Sequence, residues 1–216
     1  MTFAGWPAHA GPFFDELEGD NNRTWWLAHK KVYDADVKGP LEALLEDLSG
    51  EFGGYRISRP NRDTRFSADK TPYKTSVYGM LEGNGYINFS ADGIGVGCGL
   101  YGPAPDQLER YRQAVAAEKT GTELVAIAAA LTKGGLEVRG HEELKTAPRG
   151  YPKDHPRIDL LRQKGLIAWK IFPPAKWQQT PKALDRVRGT LRDARPLVAW
   201  LDRNVGQTTM EERGRR

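Results

Sequence analysis

Apolar positions in the first fifty residues recur at helical spacing. Phe13, Phe14 and Leu17 make one short stripe, and Asp20-Asn21-Asn22 breaks it while supplying an N-cap. Trp25, Trp26, Leu27, Val32 and Tyr33 then predict a helix over 23–38, punctuated by Gly39-Pro40. Pro40 suits the first turn of a further helix with Leu41, Leu44, Leu45, Leu48 and Phe52 on one face. Gly53-Gly54 ends it. Strand patterns follow at 55–59, 75–81, 86–90 and 94–101, with Gly83-Asn84-Gly85 and Ala91-Asp92-Gly93 as hairpin connections. In the last of these strands Gly93, Gly95, Gly97 and Gly99 share one face, which is then bare backbone. A helix, an aromatic ring or a ligand must approach it closely, a packed helix or ring being the expected occupant.

Pro105 opens a helix with Leu108, Tyr111 and Val115, and another runs through Leu124, Ile127 and Leu131 to Gly134-Gly135. A strand at 136–139, a turn-rich stretch at 150–156, a helix at 158–164 and a strand at 166–172 come next. Thr180-Pro181 starts the final helix, which breaks near Pro196 and continues through Trp200. No repeat and no long linker divides the chain. Helices, then a β-meander, then mixed elements predict an α+β fold with an antiparallel sheet packed against several helices. The expected layout is a flexible lead-in at 1–11, one domain at 12–205 and a frayed basic tail at 206–216.

Composition changes this picture little. A chain of 216 residues with 39% hydrophobic content suits one core. No apolar stretch approaches the roughly 18 residues of a membrane span, so no membrane partner is expected, and no signal peptide is read at the start. Cys98 is the only cysteine, which leaves no internal disulfide and points to a reducing, cytoplasmic setting. Its place on the apolar face of a strand reads as core. The histidines show no ligand spacing, and neither a phosphate loop nor a dinucleotide fingerprint occurs, so neither metal nor cofactor is expected. The oligomeric state is not legible.

Charge is more informative in its placement than in its total of +4. Residues 53–74 carry a net +4 and residues 145–176 a net +6, leaving −6 on the remainder. The first segment holds the densest polar run. Arg59, Arg62 and Arg65 offer planar forks for carboxylate or phosphate, and Lys70 and Lys74 offer compact charges. Tyr73 adds a hydroxyl. Asp63 and Asp69 either orient these bases or accept a proton. Pro60 and Pro72 restrict the run. The expected ligand is an anionic small molecule bearing phosphate or carboxylate. Two alternatives stand beside it: a nucleic-acid binder, and a non-catalytic interaction domain whose charge network merely pins a crossover. In the second basic segment His155, Asp159 and Lys164 form a weaker constellation: either His155 and Asp159 act as an acid–base pair with Lys164 as a further anion contact, or, the more usual role, the trio caps and pins a helix. No motif fixes a reaction, so whether the chain is an enzyme stays open.

The motifs Asn21-Asn22-Arg23-x-Trp25-Trp26, with Lys31 and Tyr33, and Arg59-x-x-Arg62-Asp63-x-Arg65-Phe66-Ser67-x-Asp69-Lys70-x-Pro72-Tyr73-Lys74 resemble those of a bacterial and fungal family. So do Gly99-Leu100-Tyr101-x-Pro103 and His155-Pro156-x-Ile158-Asp159-Leu160-Leu161-x-x-Lys164. The family is the domain of unknown function numbered 2461. Trp26 stands where phenylalanine is more usual. The resemblance runs from about Phe13 to about Asn204 and implies one full-length domain. It implies no activity, substrate or cofactor.

Overall fold

The computed structural model describes residues 2–65 and 67–210; Phe66, inside the polar run, and residues 211–216 of the expected tail lie outside the described residues. The elements are α1 Pro12–Gly19, α2 Arg23–Val32, α3 Gly39–Phe52, β1 Tyr55–Ile57, β2 Ser76–Leu81, β3 Gly85–Ser90, β4 Gly93–Leu100, α4 Pro105–Ala116, α5 Glu118–Lys133, β5 Glu137–Arg139, α6 Ile158–Arg162, β6 Leu166–Phe172, α7 Lys182–Asp193 and α8 Arg195–Asn204. The strands form one sheet in the order β1-β2-β3-β4-β6-β5. The β1–β2, β2–β3 and β5–β6 pairings are antiparallel. The architecture is α+β, as the element order predicts.

Contacts gather the chain into two compact units. One comprises Met1–Val96 and Ile171–Leu191, the other Gly97–Lys170 and Arg192–Arg216. The boundary crosses β4, β6 and α7 inside regular structure. No linker composition marks it, because a strand or helix needs none where it passes from one unit to the next.

In the first unit Asn22 caps α2, its Oδ1 accepting from the Trp25 N–H at 3.0 Å. The break expected at Gly39-Pro40 is absent. Gly39 is helical, at φ −56° and ψ −50°, and its N–H reaches the carbonyl of Asp34. That five-residue span belongs to a π-helical turn over Tyr33–Lys38, which joins α2 to α3. The reason lies in Pro40. It has no N–H and its ring crowds the carbonyl four residues earlier, and a widened turn relieves the clash without ending the helix. Leu41, Leu44, Leu45 and Leu48 then present one fully buried stripe. Each contributes about 1.5–3 kcal/mol through burial. Leu45 sits so close beneath β2 that a Cβ on Gly79 would lie 2.5 Å from its Cδ1.

Residues 2–10, read from sequence as part of a flexible lead-in, carry core side chains. Phe3 and Trp6 are buried. The Trp6 ring stacks on Phe89 at 4.5 Å, and its Nε1 donates to the Val37 carbonyl at 3.2 Å. Two large rings outweigh the entropy of ordering a short segment.

In the second unit the bare face of β4 is met by a ring at Gly97 and by backbone at Gly99. A Cβ on Gly97 would lie 2.3 Å from Cε3 of Trp169. Cys98 is buried, and burial pushes its thiol up to about 12, so it packs as an apolar group. Arg157 is nearly enclosed and donates to the Val115 and Ala116 carbonyls at 2.7 and 2.9 Å. It thus satisfies the carbonyls that the end of α4 leaves unpaired. Residues 206–209, the start of the expected tail, and Val205 before them are also held. Arg110 donates to the Val205 and Gln207 carbonyls, and Asp106 accepts from Thr208 and Thr209. Among the described residues no helix is long and apolar enough to cross a membrane.

Candidate functional site

The polar run between β1 and β2 closes on itself at its base. The Arg62 N–H donates to the Pro72 carbonyl and the Lys74 N–H to the Pro60 carbonyl, both at 2.9 Å. Asn61 and Tyr73 form the bridge between them. Each proline thus serves as an acceptor, the one ladder role open to it. Asn21, from the turn between α1 and α2, fixes this base to the helices. Its Nδ2 donates to the Tyr73 carbonyl at 2.9 Å and its Oδ1 accepts from the Tyr73 N–H at 3.1 Å. The Tyr73 ring is buried and stacks on Trp26 at 4.4 Å. The first and central motifs of the sequence therefore meet here, at Asn21, Trp26 and Tyr73. Trp26 is core; Trp25 is half-buried and stacks on His29 at 4.0 Å.

Within the loop the charges pair locally. Asp63 accepts from Nε and Nη2 of Arg65 at 3.0 and 2.7 Å. Asp69 accepts from Nη1 of Arg62 and from the Thr71 N–H and hydroxyl. The hydrogen bond from Arg65 holds the Asp63 carboxyl down at about 2, and that from Arg62 does the same to Asp69. Carboxylates so stabilised are weak bases near neutral pH, and their geometry is that of groups orienting arginines. Lys70 donates to the Thr64 carbonyl at 2.9 Å. Lys74 donates to the Arg59 carbonyl at 2.9 Å. Burial, and then the nearby Arg59 charge, lower the Lys74 pKa.

Arg62, Asp69, Thr71, Tyr73 and Lys74 line a groove of about 320 Å³. It is completed by Glu18 and Asn21 from the helices and by Thr75, Ser76 and Tyr78 leading into β2. Arg62 reaches the groove with Nη1 anchored on Asp69 and Thr71. Among the described residues its Nε and Nη2 have no hydrogen-bond partner. Arg59, Arg65 and Lys70 are exposed on the same loop and do not line the groove.

The second basic segment is arranged differently. Lys164 pairs with Glu142 at 2.8 Å, Arg162 with Glu143 at 2.6 Å and Arg157 with Glu118 at 3.2 Å. His155 Nδ1 accepts from the Arg157 N–H at 3.0 Å. Asp159 is exposed, with Arg162 Nη1 at 3.9 Å. Among the described residues no bond joins His155, Asp159 and Lys164. Helix α6 ends at Arg162, so Lys164 lies past it rather than on it.

The family described as a conserved hypothetical protein (DUF2461) matches residues 9–200. The chain belongs to it. Both compact units fall largely within that span. Among curated proteins none matches. A solved structure, a conserved hypothetical protein from Pyrococcus furiosus, is 11% identical, with 79% of this chain and 96% of that chain covered and a TM-score of 0.38. A likeness so slight carries no inference about function. Family membership draws attention to the residues that build the groove, because Asn21, Arg62, Asp69, Tyr73 and Lys74 all stand in the quoted motifs. Glu18, Thr75, Ser76 and Tyr78 were not among the sequence candidates. Glu18 and Tyr78 carry no local signal, since an exposed acid on a helix and an outward tyrosine on a strand are ordinary surface.

Proposed function

We propose that this protein binds a small anionic ligand, bearing phosphate or carboxylate, in the groove lined by Arg62 and Lys74. The observation that supports the reading is the state of these two cations. Each is fixed by part of its own donor set, Arg62 through Asp69 and Thr71, Lys74 through the Arg59 carbonyl. Each keeps further donors on the groove. Cations held in place before a ligand arrives lose little entropy on binding it. Arg59 adds a like charge that disfavours the Lys74 ammonium. An anion beside Lys74 in the groove offsets that repulsion. In the second basic segment Arg157, Arg162 and Lys164 instead face glutamates.

The test is a thermal-shift and calorimetric titration with inorganic phosphate, citrate and a short single-stranded oligonucleotide, on the wild type and Lys74→Met. Phosphate or citrate at 100 times its dissociation constant stabilises by about 2.7 kcal/mol. Lys74→Met abolishes this shift and leaves the ligand-free melting temperature within a few degrees. No shift with either anion overturns the proposal. Oligonucleotide binding that falls steeply with salt, without a phosphate shift, transfers the function to nucleic acid.

A further inference from the structure

Two further groups line the same groove and are not used by the anion-binding reading. Glu18 comes from α1 and Tyr78 from β2. Glu18 is exposed, and among the described residues its carboxylate has no hydrogen bond or ion pair. The Tyr78 side of β2 is open, with that residue 39% exposed. Asp69, the other acid at the groove, is already occupied by Arg62 and Thr71. The groove therefore holds one neutralised pair and two unneutralised charges of opposite sign, Lys74 and Glu18. A simple anion seated on Lys74 meets Glu18 only as repulsion. An ionised carboxylate is purely an acceptor, and an aromatic face attracts a cation.

We propose that the ligand is a small zwitterion, with an acidic group and an ammonium a few bonds apart, as in the phosphate ester of an amino alcohol. The inference rests on the anion-binding reading above. The acidic group takes the free donors of Lys74 and Arg62, and the ammonium takes Glu18 and the Tyr78 ring. A groove of about 320 Å³ lies at the lower end of the range for organic ligands and suits a molecule of this size.

Calorimetry with O-phosphoethanolamine, ethyl phosphate and inorganic phosphate separates the two readings, because the first two differ by the ammonium. The variants are Glu18→Gln and Tyr78→Leu, both changes at exposed positions. On the wild type, phosphoethanolamine binds at least tenfold more tightly than ethyl phosphate. Glu18→Gln removes that preference with opposite effects on the two ligands: it weakens phosphoethanolamine and strengthens or spares ethyl phosphate. Tyr78→Leu reduces the preference in part. Vesicles of phosphatidylethanolamine that compete with the free ester assign the source to a lipid headgroup; failure to compete assigns it to solution. Equal affinities on the wild type, or a Glu18→Gln variant that strengthens both ligands alike, overturns the zwitterion and leaves anion binding standing. Absence of binding by all three ligands removes both.

Discussion

Asn21 links the helices to the polar loop through both backbone groups of one residue, the Tyr73 N–H and carbonyl. Asn21→Ala leaves these part-buried groups without partners and lowers stability by about 1–3 kcal/mol, measured by urea denaturation. Asn21→Asp keeps the acceptor, loses the donor and falls between. The two loop carboxylates give a pH dependence of definite sign. Asp63 and Asp69 titrate at about 2 in the fold against an ordinary 3.8. The folded state therefore binds fewer protons than the unfolded chain between those values. The stability that they confer is fully present above about pH 4 and is lost as pH falls through about 2. Carboxyl-carbon NMR titration places both midpoints near 2. Arg62→Gln returns Asp69 toward its ordinary value and leaves Asp63 unmoved, because Arg65 holds that carboxylate separately.

At the scale of elements, the π-helical turn and the bare strand each have a local cause. The turn lets Pro40 sit inside a continuous helical run from Arg23 to Phe52, and it resets the phase between the Trp26 face and the leucine stripe. The bare strand makes room for Trp169. Gly97 has an ordinary backbone angle, so its constraint is steric alone. Gly97→Ala costs about 1–3 kcal/mol by overpacking, read from the denaturation midpoint. Adding Trp169→Leu recovers part of that loss, and a double-mutant cycle gives the coupling. If the alanine costs nothing, the ring does not occupy the face.

For the whole molecule, the two compact units predict distinguishable local stability. Arg157 binds α4 carbonyls and Glu118 within the second unit. Arg157→Met lowers stability by about 2–3 kcal/mol, since several acceptors at a helix end lose their donor together. Hydrogen exchange then shows lost protection concentrated in α4 and α5, and protection in β2 and β3 falls less. Equal loss everywhere identifies the two units as one cooperative block.

The sequence by itself determined the elements and their class. Period-2 and helical spacing, with glycine and proline as punctuation, located the meander and the helices because these signals act over a few residues. It also determined that the chemistry gathers in one polar run, since charge density is a local property. Only the tertiary structure decided which charges remain available. Asp69 chose Arg62 over its neighbour Lys70, the bases of residues 157–164 met glutamates from residues 118–143, and Lys74 kept free donors beside a like charge. Tyr73, read as a ligand contact, has its ring on Trp26, and Glu18 and Tyr78 became groove residues. These assignments depend on partners far apart along the chain, whose meeting is set by how helices and strands pack.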